Sequence, residues 1–300
     1  MKEDNTIINK VLNFFRGEKR SIFLNLSPSL LWYFVFLTAP LVLVVVLSFW
    51  RMEDVILIPD FTLEHYVTFF TKPLYGELLL RSIGIAAAVT AGCIALGYPA
   101  AYYLSFKTRI PKYTLLILLM GPYLASYLII IFSLRFLILG YGGLVNTVLM
   151  NLGLITEPLE WLMHNQFAVI FTLVQAWTPW VILPMFASLE KIDKTLLEAA
   201  ADLGASPMQT FRKVTLPLSM PGVLVAVLFV FIPSVGEFIT ADLVGGTSGV
   251  MIGNIIQKLF QRGLQWPLGA AITIMMMIIT LIGIFILLKK VSLEQIMESL

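Results

Sequence analysis

Six stretches of this chain are too long and too apolar for the surface of a soluble protein. They cover roughly residues 28–50, 80–106, 113–137, 166–189, 218–241 and 264–288. A bilayer core needs about 20 apolar residues per spanning helix. Residues 83–106, 166–189 and 263–288 contain no Asp, Glu, Lys or Arg at all. Hydrocarbon offers a backbone no hydrogen bonds, so only helices and closed barrels cross it, and these runs are too long for barrel strands. The composition agrees, with 59% hydrophobic and 13% charged residues, too little charge for the surface of a soluble domain. The expected fold is all-α and integral to the membrane, with six transmembrane helices.

Direction follows from Lys and Arg, which collect on the cytoplasmic side. With the N-terminus inside, the inner segments hold 14 of the 20 basic residues. Both termini and the segment 190–217, between the fourth and fifth spans, are then cytoplasmic. The outer loops are 51–79, 138–165 and 242–263; the second carries Glu157 and Glu160 but no Lys or Arg. Three parts are expected: an N-terminal segment 1–21, a transmembrane domain 22–288 that includes the loop 190–217, and a tail 289–300. Charges run from Lys2 to Arg20 and the first apolar run can span, so no cleavable signal peptide is expected. Ile7, Ile8, Val11, Leu12, Phe14 and Phe15 recur near helical spacing among Lys10, Arg16 and Lys19. That pattern fits an amphipathic helix on the membrane surface, or a frayed tail.

Several chemistries are excluded. The lone Cys93 forms no intramolecular disulfide, and His65 and His164 are far from any ligand-type spacing. No metal and no cofactor are expected on this chain. It has no H-E-x-x-H, no G-x-S-x-G and no P-loop motif. Its basic residues follow topology rather than gathering on one face, so no nucleic acid is expected. The spans carry helix weakeners instead: Gly97-Tyr98-Pro99, Gly121-Pro122, Thr178-Pro179, Pro184 and Pro233. Several together favour helices that surround a cavity or move.

The segment "KTLLEAAADLGASPMQTFRKVTLP", residues 194–217, reads as two helices. Thr195 to Leu203 forms the first, with Ala199, Ala200 and Ala201 as strong helix formers and Gly204 placed to end it. Ser206 can cap the second, Pro207 fits its first position, and Gln209 completes a capping box. Pro217 marks entry to the next span. Leu196, Leu197, Ala200 and Leu203 fall towards one side of the first helix; Met208, Phe211 and Val214 lie on the second. Pattern alone leaves two fates for them: folding back onto the membrane helices, or inserting into a groove on a soluble partner.

Glu198-Ala199-Ala200, three residues, Gly204, nine residues, then Val214-Thr215-Leu216-Pro217 resembles the EAA loop of ABC-importer permeases, E-A-A-x3-G-x9-I-x-L-P. Val214 stands where isoleucine is usual. "LEAAADLGASPMQTFRKVTLPLSMPGV", "VFIPSVGEFITADLVGG" and "VMIGNIIQKLF" look like the spermidine/putrescine branch. The resemblance implies a type I importer permease fold in a bacterial inner membrane. It also implies two cytoplasmic ATPase subunits carrying ATP and Mg, a second related permease and an external solute-binding protein. By the same resemblance Glu198, Ala199, Ala200, Asp202, Leu203, Gly204, Ser206, Pro207 and Phe211 form the ATPase-coupling surface. The missing P-loop then belongs to the ATPase subunits.

For the substrate pathway, Glu237 and Asp242 follow the break Pro233-Ser234-Val235-Gly236. Glu237 is either a helix-end carboxylate in water or part of a broken segment turned towards a cavity. A polyamine needs carboxylates and aromatic faces. Tyr123, Tyr127, Trp177 and Trp180 are the candidate walls, although aromatics at such depths also serve packing and interfacial belts. Arg135 can pair with one carboxylate and make it structural. The alternatives are a same-fold importer for a cationic amino acid-like solute, iron or an organophosphonate, and a secondary transporter. The last calls for an inverted repeat, and none is visible.

Overall fold

The computed structural model describes residues 26–53, 56–140, 142–159, 162–261 and 265–290. The amphipathic pattern at residues 7–15 and the tail after Lys290 lie outside the described residues.

The first span, α1 (Leu26–Leu47), has mean hydropathy 2.6 and buries none of its apolar window in the chain. It leads into an antiparallel pair, β1 (Arg51–Glu53) and β2 (Ile56–Ile58), with Met52 opposite Leu57. A short helix α2 (Glu64–Thr71) precedes the 34-residue α3 (Pro73–Phe106). This second span starts seven residues before its sequence-based boundary at residue 80. The extra two turns hold Tyr75, Leu78 and Leu79, which are buried beside Phe69 and Leu268.

The third span differs most from expectation. It is not one helix over 113–137 but two pieces, Lys112–Leu124 and Tyr127–Phe136, bent by 84°. We label their regular parts α4 (Lys112–Met120) and α5 (Tyr127–Ser133). Gly121 and Pro122 open a 3-10 turn, and Ala125 and Ser126 adopt extended backbone with ψ of 160° and 135°. Proline cannot donate to the helical ladder and disfavours helical geometry in the residue before it. Proline alone does not predict the break, because Pro99, Pro179 and Pro184 sit inside continuous helices.

Helix α6 (Leu144–Asn151) lies between the third and fourth spans, followed by α7 (Gln166–Glu190), the fourth span. After α8 (Lys194–Asp202) the fifth span, α9, runs from Pro207 to Val235. The helix therefore begins ten residues before Pro217. The chain passes from the loop into the span through a wide π-type turn at Phe211–Thr215, just before a proline that lacks its N–H. At the far end the helix stops at Val235, six residues short of the expected 241. Two shorter helices follow, α10 (Ile239–Val244) and α11 (Ile252–Gln261), then the last span, α12 (Trp266–Lys290). The loop expected at 242–263 is thus folded into the protein: Met251, Ile252 and Asn254 are buried, and Ser82 accepts a hydrogen bond from Ile252 N–H at 2.8 Å.

The core is built by α3, α7 and α9 packing on one another. Small residues set the approach. A Cβ on Gly97 would lie 2.7 Å from Val181 Cγ2, and one on Gly222 would lie 2.5 Å from Ser188 Cβ and 2.6 Å from the Pro184 carbonyl oxygen. Without a hydrophobic drive between helices in lipid, such close backbone contact is a main source of association. Among the described residues five helices are long and apolar enough to cross a membrane, or six if the bent pair is one span.

Candidate functional site: a capped loop and an aromatic cavity

The loop between the fourth and fifth spans owes its shape to local hydrogen bonds. Asp193 accepts from Thr195 N–H at 3.0 Å and caps α8. That bond holds the Asp193 carboxyl below the usual aspartate value. At the other end Gly204 has φ of +79°. Its N–H reaches the Ala201 carbonyl at 2.9 Å, and Ala205 N–H reaches Ala200 at 3.0 Å. This is the Schellman arrangement, in which a left-handed residue lets the last carbonyls find donors. Ser206 and Gln209 then form the expected capping box: Gln209 N–H donates to Ser206 Oγ, and Ser206 N–H donates to Gln209 Oε1 at 2.8 Å.

Some of the loop's apolar residues fold back onto the membrane helices and others stay exposed. Leu197 packs on the core, and so does Phe211, whose ring meets Tyr98 and Tyr102 edge-on at 5.8 and 6.1 Å. The Tyr98 hydroxyl is 2.7 Å from Ser219 Oγ, so α9 is tied to α3 just past Pro217. Leu203 (88% exposed) and Met208 (65%) point outward. Glu198, Ala199, Asp202, Gly204, Ser206 and Pro207 are also exposed, and Ala200 is half-buried. A nearly bare leucine and methionine beside small and acidic residues form an apolar knob on a polar loop.

A second feature lies at the two broken spans. The 84° bend places Tyr123 before the break and Tyr127 after it. Both face α7, and Gln175 Nε2 donates to the Tyr123 oxygen at 2.7 Å. Tyr127, Tyr123, Trp177, Trp180, Phe229 and Glu237 line a cavity of about 470 Å3. Glu237 sits in the gap between α9 and α10 and is only 9% exposed. Its Oε1 accepts from Thr240 N–H at 2.9 Å, and its Oε2 accepts from the Tyr127 hydroxyl at 2.8 Å. The Tyr127 hydroxyl is also 2.9 Å from Thr240 Oγ1.

Asp242 lies outside this cavity. It takes a hydrogen bond from Asn254 Nδ2 at 2.7 Å. Asn254 is 1% exposed; it also donates to the Phe238 carbonyl and accepts from Met251 N–H, each at 2.8 Å. Asp242 thereby helps to fix α11 against the break. Arg135 pairs with neither carboxylate. It lies two turns beyond Tyr127, about 12 Å along the helix, and its guanidinium rests on the Phe136 ring at 5.7 Å. Among the described residues the ion pairs are Arg51–Asp60 and Lys112–Glu190, and no group of three His, Cys, Asp or Glu residues comes together to hold a metal. Sequence reasoning missed Gln175, Thr240 and Asn254. Each holds a site residue by a hydrogen bond, and only Asn254 and Thr240 are near their partners in sequence.

These features define a polytopic membrane protein with two broken spans and an aromatic cavity between them. Residues 93–289 match the family described as binding-protein-dependent transport system inner membrane component, and the chain belongs to that family. It is a multi-pass permease subunit of an ABC importer in the plasma membrane. It is 38% identical over 273 residues to the spermidine/putrescine transport system permease protein PotB of Escherichia coli K12, covering 88% of this chain and 98% of the relative. The PotB protein of Haemophilus influenzae is 36% identical over 274 residues, covering 88% and 94%. In fold the chain resembles a subunit of a bacterial ABC transporter that imports the acidic polysaccharide alginate. That likeness has a TM-score of 0.68 at 20% identity, over 91% of this chain and 96% of the other.

Proposed function

We propose that this permease carries polyamines, and that the aromatic cavity with Glu237 is its contribution to the pathway. The observation that carries the reading is a nearly buried carboxylate with no cation beside it among the described residues, walled by tyrosines and tryptophans. An unpaired carboxylate at that depth is costly and is stabilised by an arriving cation. Aromatic faces add cation–π attraction of about 0.5–2 kcal/mol per contact. The names of the PotB relatives favour the same solute class.

The cavity presents one carboxylate, so it holds one ammonium group of an extended polycation. The remaining charge is met by a second permease, which completes the pathway. An external binding protein delivers the solute. Loop 190–217 faces the cytoplasm, as do both termini, and two ATPase subunits that bind ATP and Mg grip it there. Leu203 and Met208 enter the ATPase surface, Glu198 and Asp202 meet its basic groups, and Ala199 and Ala200 permit close approach. Phe211 acts from within, passing loop motion to α3 through Tyr98.

The test is ATPase stimulation of the reconstituted complex with its binding protein and a panel of solutes. Spermidine or putrescine stimulates the wild type, and Glu237→Gln lowers that stimulation at least tenfold. Stimulation by a 2-aminoalkylphosphonate or an amino acid instead, with none by either polyamine, overturns the substrate assignment.

A further inference from the structure

Tyr123 and Tyr127 wall the same cavity, yet they are anchored to different parts of the protein. Tyr123, before the break in the third span, takes its hydrogen bond from Gln175 of α7 at 2.7 Å. Tyr127, after the break, is bonded to Glu237 and Thr240 around the start of α10. It also meets Trp177 of α7, but only through rings 6.4 Å apart and tilted by 50°, a contact that permits sliding. Between the two tyrosines Ala125 and Ser126 are extended.

The inner arm of the span, α4, is thinly packed. Leu116 is its one buried residue, and Ile117 and Leu118 are exposed. Its polar contacts all reach α7. Lys112 Nζ donates to Glu190 Oε1 at 3.4 Å, and the Tyr113 hydroxyl donates to Glu190 Oε2 at 3.4 Å. The Tyr113 ring meets Phe186 edge-on at 6.2 Å. With Tyr123 on Gln175, α4 is thus clasped to α7 near both ends.

Glu190 is the last residue of α7, and α8 begins only three residues beyond it. Ile192, in that short link, is buried in the core beside Leu189. The base of α7 and the start of the loop therefore move as one piece.

Resting on the readings of loop 190–217 as the ATPase contact and of the cavity as an ammonium site, we propose that Glu190 and Gln175 are positioning residues that make α4 follow α7 and the loop. The outer arm, α5, stays with α10, and Ala125–Ser126 is the hinge between the arms. A few residues outside regular helix are enough to absorb such a change. When the loop shifts, Tyr123 is carried away from or towards Tyr127, and the cavity widens or narrows around the solute. This route reaches the cavity itself, whereas Phe211 reaches α3. The Lys112–Glu190 pair is partly exposed, so it adds little to stability; its effect is on which parts move together.

The experiment uses the permease–ATPase complex with its binding protein in proteoliposomes, reading putrescine uptake and ATP hydrolysis together. Glu190→Ala and Lys112→Met are expected to leave thermal unfolding, ATP hydrolysis and putrescine binding unchanged. Uptake per ATP should fall about fivefold, the low end of typical coupling between sites. The exchanged pair Lys112→Glu with Glu190→Lys should restore it. Nitroxides on Leu118→Cys and Phe136→Cys, with Cys93 buried and unlabelled, report the angle between the arms by dipolar EPR. Their separation should change when ATP and vanadate trap the complex, and the change should vanish in Glu190→Ala. Wild-type uptake per ATP in both single variants, failure of the exchanged pair to restore it, or an unchanged separation in the otherwise wild-type complex overturns the hinge. If no ATPase subunit co-purifies, the coupling reading has failed instead; if Glu237→Gln binds putrescine normally, the ammonium-site reading has failed.

Discussion

A size series at Gly204 separates what the chain needs from what a docked partner needs. Gly204 ends α8 in the left-handed region at φ +79° and carries the Schellman bonds. A Cβ added there meets no heavy atom within 4 Å. The cost to the isolated subunit is therefore backbone strain alone, about 1–2 kcal/mol for an L-residue with a side chain. It should not depend on side-chain size. Asn tolerates the left-handed region better, so its cost is smaller. Stability should fall in the order Gly, Asn, then Ala and Phe together. Uptake should follow a different order if an ATPase surface covers this turn: Gly, Ala, Asn, Phe, with Phe near background. The assay pairs thermal unfolding of the purified complex with putrescine uptake into proteoliposomes. A loss of about 1 kcal/mol shifts unfolding by only a few degrees, so every variant remains folded for the uptake measurement. If Ala and Phe transport equally well, nothing is apposed to Gly204 and the coupling proposal is refuted.

Two further outcomes follow from packing. Gly222→Val should drive α7 and α9 apart, because even a Cβ would lie 2.5 Å from Ser188 Cβ. Overpacking of this kind costs about 1–3 kcal/mol, visible as reduced thermal stability and yield in detergent. Asn254→Ala should cost about 3 kcal/mol, since it removes three hydrogen bonds and leaves the Asp242 carboxylate without its donor. Asp242→Asn should be milder and leave putrescine binding unchanged; lost binding in a stable Asp242→Asn variant would return Asp242 to the pathway.

The sequence by itself determined the features whose physics is local. Runs of about 20 apolar residues dictate spanning helices because a bare backbone cannot face lipid. Gly204, Ser206 and Gln209 dictate the two-helix loop because their hydrogen bonds close within five residues. The choice of Tyr123, Tyr127, Trp177, Trp180 and Glu237 was also legible as chemistry, although their meeting was not. Only the tertiary structure decided that they share one cavity and that Asp242 stays outside it. Tyr127 and Glu237 are 110 residues apart, and their contact depends on the third span breaking where it does. Pro99, Pro179 and Pro122 look alike in sequence. The first two lie in α3 and α7, which pack against each other in the core, and their helices stay continuous. The third lies in a span with few buried residues, where little packing opposes the bend. Whether a proline breaks a helix is thus settled by its neighbours' packing, which no local pattern records.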